Sequence, residues 1–387
     1  MGSRRNDIDW LRTLASYLVL IYHAAQFFDY QKKTYFKNAE LSEALDYFTR
    51  FVHLWHMPLF FLLAGWSSNS SLNSRGTRGF LSERVQRLFV PLTFGMTLLC
   101  APPKWVEFRN GLWKTTSAGE QITKSGSVSF ITFLQEYYYP EGITWGHLWF
   151  LIYLFTFSLL YLPLLWLLSK SSFSESALYK WAKVVTNAPV VLLACVQLGL
   201  RDRWPGYQNL VDDWANFWFY STFFIAGFCL AQFAIIEDHL LFRCKRNGIL
   251  GFSACLIYII RHRLSELDSK PDSVQHILSA VGAWYVVCFL LPLARQTLAD
   301  TPAPAFWANN AFPVYVIHDV PLCLVAEFEL RRWDSSVGKK FVYSGVAALL
   351  SSFFFLFVIA RRVWLFRVLL GMKSSSPVPT KYHPKSQ

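Results

Sequence analysis

The sequence predicts an all-α integral membrane protein, and the evidence lies in its composition, its long apolar stretches and the placement of its basic residues. Of the 387 residues, 53% are hydrophobic and 18% are aromatic, while only 16% are charged. A water-soluble domain of this length could not bury so much apolar surface. The chain is therefore predicted to cross a membrane many times.

About ten apolar stretches approach the length needed to span the roughly 30 Å of a bilayer's hydrocarbon core. We predict one transmembrane helix for each, with the two short stretches at 88–101 and 248–261 tilted, broken or extended into their flanks. Together they form one membrane domain over residues 1–370, followed by a polar, disordered cytosolic tail at 371–387. The ten stretches are residues 10–28, 48–67, 88–101, 147–168, 184–200, 215–236, 248–261, 274–293, 311–328 and 341–360.

The basic residues set the predicted topology. With the N-terminus in the cytosol, the predicted cytosolic segments hold most of the Arg and Lys residues, including the cluster between Arg75 and Arg87. An even number of helices then returns the C-terminus to the cytosol. The net charge of +12 is explained by this topology and by attraction to anionic lipid headgroups. We predict membrane lipids as partners and no nucleic acid, in the plasma membrane or an endomembrane.

Two ionisable residues, Arg12 and His23, lie inside the first apolar stretch. Their spacing places them on one helical face, about 16 Å apart along the axis. Ionisable groups within a membrane helix are costly and usually face a polar interior where they serve function. The alternative is structural, with Arg12 reaching the membrane surface and His23 satisfied by a hydrogen bond. The pair alone does not decide between these interpretations.

Four arginines follow the second apolar stretch in two pairs with three-residue spacing. Each pair would share a face if the segment is helical. Guanidinium groups bind phosphate oxygens in a bidentate way, so such a set at a membrane surface could hold the phosphates of coenzyme A. The alternative is a cluster that only sets topology. The pairs are Arg75 with Arg78 and Arg84 with Arg87.

Further histidines lie in or near apolar helices. His53 and His56 are three residues apart, His147 opens the fourth stretch, and His318 lies in the ninth. A zinc site would need further Cys or carboxylate ligands close by, so we predict no bound metal. Neighbours on a helix diverge by about 100°, so His318 and Asp319 cannot form a dyad by adjacency. Asp319 is expected to face headgroups or to pair with another helix.

Taken in order, these motifs resemble the acyltransferase-3 family of integral membrane O-acyltransferases. The resemblance covers residues 6–360 and is greatest to the glucan-modifying, succinyltransferase-like branch. Its motifs are Asp9-Trp10-Leu11-Arg12 with His23 beyond it, HMPLFFLLAGW at 56–66, Arg84 and Arg87 before FVPL, GHLWFL at 146–151, and VYVIHDVP at 314–321.

The resemblance implies an enzyme with about ten transmembrane helices that moves an acyl group from cytosolic acyl-CoA to a hydroxyl of a carbohydrate, lipid or small molecule. Arg12 and His23 match the family's first-helix pair, and Arg84 and Arg87 match its paired arginines. The expected co-substrate is acetyl-CoA or succinyl-CoA, with no cofactor held by the protein. We group His56, His147, His318 and Trp149 as candidate acceptor or pocket residues, and Arg75 and Arg78 with the acyl-CoA-binding arginines.

Acyl transfer from a thioester to an alcohol needs a base that works near neutral pH, and imidazole suits this role. We therefore predict His23 as the base and Arg12 as a contact of the acyl-CoA. The competing function is a multi-pass transporter or lipid flippase that uses the same pair to bind a substrate or a proton. No internal repeat supports that alternative.

Overall fold

The computed structural model describes residues 5–31, 34–117, 120–124, 126, 128–139, 142–264 and 272–372. Most residues of each of the ten predicted stretches are helical, and one short antiparallel hairpin is the exception to the all-α prediction. The predicted tail lies outside the described residues from position 373 onward. The first part of the chain forms α1 (Asn6–Ala25), α2 (Glu43–Arg84), α3 (Val90–Phe94), α4 (Ala101–Arg109), β1 (Trp113–Ser117), β2 (Glu120–Lys124), α5 (Phe130–Tyr137), α6 (Trp149–Leu160), α7 (Leu162–Lys170) and α8 (Glu175–Leu200).

The second part of the chain is helical and includes several short or broken elements. Wide, π-helical turns at Val85–Phe89 and Gly95–Leu99 flank α3, and two more occur at Ala326–Leu330 and Leu356–Ala360. The helices are α9 (Trp214–Gln232), α10 (Ala234–Phe242), α11 (Cys244–Leu264), α12 (Ser273–Leu298), α13 (Ala305–Ile317), α14 (Asp319–Val325), α15 (Val337–Phe355) and α16 (Trp364–Leu369).

Within the described residues, five helical segments are long and apolar enough to cross a membrane, or up to seven if two bent pairs each count as one span. The bent pairs are α6 with α7 and α13 with α14, which turn by 58° and 61°. Pro163 and Pro321 lie just after these bends, where their rings clash with the carbonyl one turn earlier and remove a helical hydrogen bond. The chain is thus a multi-helix membrane protein.

One of the five segments, Glu43–Arg109, is too long to be a single straight span, since its 67 residues would extend about 100 Å. The chain turns at Gly76, whose φ of 65° lies in the left-handed region that glycine tolerates. Glu83 consequently contacts Ser71 and Arg75 on the preceding arm. The expected common face of Arg75 and Arg78 is therefore wrong, because the break lies between them.

The backbones of α2 and α9 pack against each other without intervening side chains. A Cβ at Gly65 would lie 1.9 Å from the Phe224 carbonyl oxygen, and one at Gly227 would lie 1.9 Å from the Leu62 carbonyl oxygen. Small residues permit this close approach between membrane helices. The contact fixes the depth of α2, which carries His53 and His56, within the bundle.

We expect Gly227→Ala to lower the free energy of unfolding by about 2 kcal/mol or more, because the added methyl group meets a backbone carbonyl that cannot move alone. Thermal unfolding of the protein in detergent measures the effect. Gly345→Ala on α15 is the matched control, since nothing lies within 4 Å of a Cβ there. Equal unfolding midpoints for the two variants would contradict this packing.

Candidate functional site

Three histidines from distant parts of the chain meet inside the bundle. His23 is near the end of α1, His147 lies in the short turn before α6, and His318 lies at the break between α13 and α14. The His318 ring centroid is 5.3 Å from that of His23 and 5.2 Å from that of His147. The structure thus groups three of the histidines that the sequence singled out.

The break at His318 supplies hydrogen-bond acceptors to the cluster. In an unbroken helix, the carbonyls in the last turn of α13 would accept hydrogen bonds from backbone N–H groups of the next turn. Here they accept hydrogen bonds from imidazole nitrogens. The Tyr315 carbonyl lies 2.8 Å from His318 Nδ1, and the Val316 carbonyl lies 3.0 Å from His147 Nε2. His318 therefore donates from Nδ1 and keeps the lone pair on Nε2. That Nε2 is buried without a hydrogen bond in the described part of the chain.

His147 lies between two oxygen acceptors. Its Nδ1 is 3.2 Å from Asp319 Oδ2, opposite the contact of Nε2 with the Val316 carbonyl. This contact meets the distance of an ion pair, although Nδ1 has no partner with hydrogen-bond geometry among the described residues. A proton on both ring nitrogens would give His147 a positive charge that the Asp319 carboxylate balances. Gly146, with a φ of 46°, precedes His147 and allows the tight turn that places the ring here. Asp319 is therefore buried and does not face headgroups, and its partners lie in a turn and a connection, where pairing with another helix was expected.

Tyr35, in the connection between α1 and α2, was missed by sequence reasoning. Its hydroxyl donates to Asp319 Oδ1 over 2.8 Å. Burial, and then the negative charge of Asp319, raise the pKa of the Tyr35 hydroxyl well above its usual value, so this group remains a donor. The sequence held one signal for this contact, the carboxylate of Asp319 in an apolar segment. Such a carboxylate requires partners, but the sequence does not identify them.

A directed chain of hydrogen bonds begins at His23. Its Nδ1 lies 2.9 Å from Gln26 Oε1, the Gln26 amide donates to the Tyr22 hydroxyl over 3.2 Å, and this hydroxyl lies 3.2 Å from His53 Nδ1. With Nδ1 donating to Gln26, the lone pair of His23 is on Nε2. Gln26 and Tyr22 thus fix the orientation and tautomer of His23.

The other two candidate pocket residues lie beside this cluster. His56 is buried, its ring is 5.5 Å from that of Tyr22, and both of its nitrogens lack a hydrogen bond among the described residues. Trp149 instead packs in an aromatic group, with its ring 5.3 Å from Tyr220 and 6.1 Å from Phe61. Trp149, two positions after His147, is therefore part of the aromatic packing beside the histidine cluster.

The arginines collect at the opposite end of α1 and α2. Arg12 donates to Asp9 over 3.1 Å and to Ser67 over 2.8 Å. Glu83 lies 2.8 Å from Arg75 and 3.4 Å from Arg87. The negative charge of Glu83 and the positive charges of Arg87, Arg75 and Arg12 all act on Arg84, whereas Arg78 is exposed.

Arg84 differs from its neighbours. It is 8% exposed, and its guanidinium carbon lies 4.7 Å above the Phe80 ring. Its Nε is buried without a hydrogen bond, and among the described residues no carboxylate comes within ion-pair distance. A buried guanidinium with no carboxylate in direct contact, beside further arginines, can bind an anion.

The two polar ends are separated by an apolar stretch of helix. Arg12 and His23 are eleven positions apart on α1, which corresponds to about 16 Å. Ser67 and His56 have the same spacing on α2.

Within the described residues, no group of three His, Cys, Asp or Glu side chains could hold a metal ion. Charged and titratable groups in the interior of a membrane-spanning bundle are costly, so they indicate an integral membrane protein with a functional site.

Comparison with known proteins identifies the class of membrane protein. Residues 5–361 match the family model described as an acyltransferase domain. The chain therefore belongs to the acyltransferase-3 family and is an acyltransferase. It is 22% identical over 298 residues to the "Glucans biosynthesis protein C" of Salmonella paratyphi B and to that of Salmonella dublin, a match covering 72% of this chain and 72% of each relative. No solved structure matches.

Because Asp319 is buried beside His147, we expect Asp319→Asn to lower the free energy of unfolding by about 3 kcal/mol. Tyr35→Phe removes only one hydrogen bond to the same carboxylate and should cost about 1 kcal/mol. Thermal unfolding midpoints in detergent measure both effects. Asp300→Asn, on an exposed turn, is the control and should match the wild type. If Asp319→Asn unfolds at the same temperature as Asp300→Asn, the buried ion pair does not stabilise the fold.

Proposed function

We propose that this acyltransferase is a membrane O-acyltransferase that moves an acyl group from cytosolic acyl-CoA to a hydroxyl of an acceptor, with His23 as the general base. The observation that carries the proposal is that buried Arg84 lies in the arginine group beside Arg12 at one end of α1, while the histidine cluster lies at the other end of α1. Coenzyme A needs an anion site for its phosphates and a distant site for its thioester.

The donor half of the proposal rests on the arginine end. Arg84, assisted by Arg87, would bind phosphate oxygens of acyl-CoA, and Arg12, Arg75 and Arg78 would add positive potential at the mouth. A pantetheine arm is long enough to follow α1 toward His23. Acetyl-CoA and succinyl-CoA both remain candidate donors.

The chemical half rests on the histidine end. The acceptor hydroxyl would attack the thioester carbonyl carbon while His23 Nε2 takes its proton. The carbon–sulfur bond then breaks, the ester forms, and the proton passes to the departing thiolate to give coenzyme A. His318 Nε2, with its free lone pair, would hold the acceptor hydroxyl. A protonated His147 ring, balanced by Asp319, would favour the oxyanion that develops.

The orientation follows from the basic residues. We propose ten transmembrane helices with both termini in the cytosol, which places the arginine end at the cytosolic surface and the histidines toward the other face. The name of the Salmonella relatives supports a carbohydrate acceptor, which reaches His23 from the non-cytosolic side.

We expect Arg84→Ala to raise the dissociation constant for acetyl-CoA by at least about tenfold, because a buried guanidinium contributes a charge-assisted hydrogen bond to phosphate. Equilibrium binding of radiolabelled acetyl-CoA to the purified full chain measures this. Arg362→Ala, an exposed arginine beyond α15, is the matched control. Unchanged affinity in Arg84→Ala would remove the donor site from this position.

We expect His23→Ala to lower kcat for acyl transfer by at least about 100-fold while the affinity for acetyl-CoA stays within twofold, because the variant loses the base and keeps the arginine end. Turnover of acetyl-CoA in the presence of acceptor, with His239→Ala on α10 as control, measures both values. Wild-type turnover in well-folded His23→Ala protein would exclude His23 as the base.

A further inference from the structure

The turn at Gly76 places a carboxylate between two arginines of the arginine end. Glu83 lies after the turn and contacts Arg75 before it, with 2.8 Å between Glu83 Oε2 and Arg75 Nη1. The other carboxylate oxygen, Oε1, is 3.4 Å from Arg87 Nη1. The Ser71 hydroxyl also donates to Oε2. One carboxylate is thus held by two guanidinium groups and one hydroxyl that come from both sides of the turn.

The contacts around Glu83 are those that a phosphate group makes in proteins. Guanidinium groups and hydroxyls donate hydrogen bonds to phosphate oxygens as they do to carboxylate oxygens. Arg75 and Arg87 contact separate oxygens of Glu83, so a group at this position needs two acceptor oxygens. Every phosphate group of acyl-CoA offers at least that many. Glu83 is therefore a carboxylate at a position that suits a phosphate.

The arginines around Glu83 carry more positive charge than it balances. Arg75 and Arg87 contact it, and Arg84 follows it in the chain, so three guanidinium groups share one carboxylate and leave a net charge of +2. Arg84 is buried, and its Nε has no hydrogen bond within the part of the chain that the structure describes. A second position for an anion therefore lies beside the one that Glu83 occupies.

Another ionic network at the same end of α1 has the opposite balance of charge. Arg5 lies 2.7 Å from Asp7 and 2.5 Å from Glu237. Arg295 lies 3.2 Å from Glu237 and 2.9 Å from Asp238. In this network three carboxylates share two arginines, so no positive charge is left for an anion. The excess of positive charge is thus a property of the Glu83 cluster and is not shared by every ionic network at this end.

The ion pairs of Glu83 are open to exchange. The side chains of Arg75 and Arg87 are 50% and 43% exposed. Exposed ion pairs contribute little to stability, because water solvates both groups when they separate. Glu83 is 14% exposed, so the two arginines are the part of this cluster that an anion from the solvent meets first. Rotation about the side-chain bonds of Glu83 is enough to release them.

Building on the proposed function, we infer that Glu83 occupies a second phosphate position of the donor site, between Arg75 and Arg87, and that a phosphate of acyl-CoA replaces it there. One phosphate then binds Arg84, and another binds across the turn at Gly76. The carboxylate competes with the donor for the two arginines, so it lowers the affinity for acyl-CoA. Its return to them favours the release of coenzyme A after the transfer.

The test is equilibrium binding of radiolabelled acetyl-CoA to the purified full chain. We expect Glu83→Gln to lower the dissociation constant by at least about fivefold, because the amide keeps an acceptor for Ser71 but removes the competing charge. Arg75→Ala should raise it by at least about fivefold, since the second phosphate position loses a guanidinium. Asp238→Asn, which removes a carboxylate from the Arg5 network, is the matched control and should stay within about twofold of the wild type. Thermal unfolding midpoints show that each variant is folded.

Two results would overturn the inference. If Glu83→Gln binds acetyl-CoA like the wild type or more weakly, Glu83 orders the arginines and does not compete with the donor. If Asp238→Asn tightens binding as much as Glu83→Gln, the loss of any negative charge at this end is sufficient. In both cases the Arg84→Ala and His23→Ala variants still test the transfer reaction.

Inorganic pyrophosphate, titrated into the same variants, separates this inference from the proposed function. We expect the same order of affinities, with Glu83→Gln the tightest, because pyrophosphate carries phosphate groups and no thioester. Binding in this order without any binding of acetyl-CoA would keep the anion position and contradict the proposed function. A wild type and a Glu83→Gln variant that bind neither compound would overturn both.

Discussion

The charge of Asp319, buried in an otherwise apolar bundle, dictates much of the arrangement around it. An isolated carboxylate in such surroundings is strongly unfavourable, so each oxygen must have a partner. Tyr35 supplies one partner from the connection between α1 and α2, and His147 supplies the other from the turn before α6. Three parts of the chain far apart in sequence are thereby held at one point, and His318 and His23 lie beside it.

The same point depends on a broken helix. An unbroken helix through residues 305–330 would satisfy its carbonyls internally and leave His147 without an acceptor. The bend before Pro321 frees carbonyls of α13 for imidazole groups, while the helix continues far enough to keep Asp319 buried. Irregular backbone is tolerated at membrane depth where protein groups satisfy it, and here imidazole groups do so.

The sequence was most informative where a polar residue stands out against an apolar background. His23, His147 and His318 were all singled out in this way, and the structure brings their rings together. Tyr35 could not be found, because a tyrosine in a polar connection has no unusual feature until its partner is known. The turn at Gly76 was also missed, since glycine in a Ser-rich segment fits a loop, a helix or a break equally well. Long-range pairing is not encoded in local spacing.

The wide turns on either side of α3 affect which residues face the interior. In a regular helix, Arg84 and Cys100 would point in directions about 160° apart, so one of them would face lipid. Each π-helical turn absorbs roughly one extra residue, and the two turns between them reduce the angle to about 40°. Both residues are in fact buried. The two extra residues thus rotate this helical segment so that Arg84 at one end and Cys100 at the other, near the histidine cluster, both face the interior of the bundle.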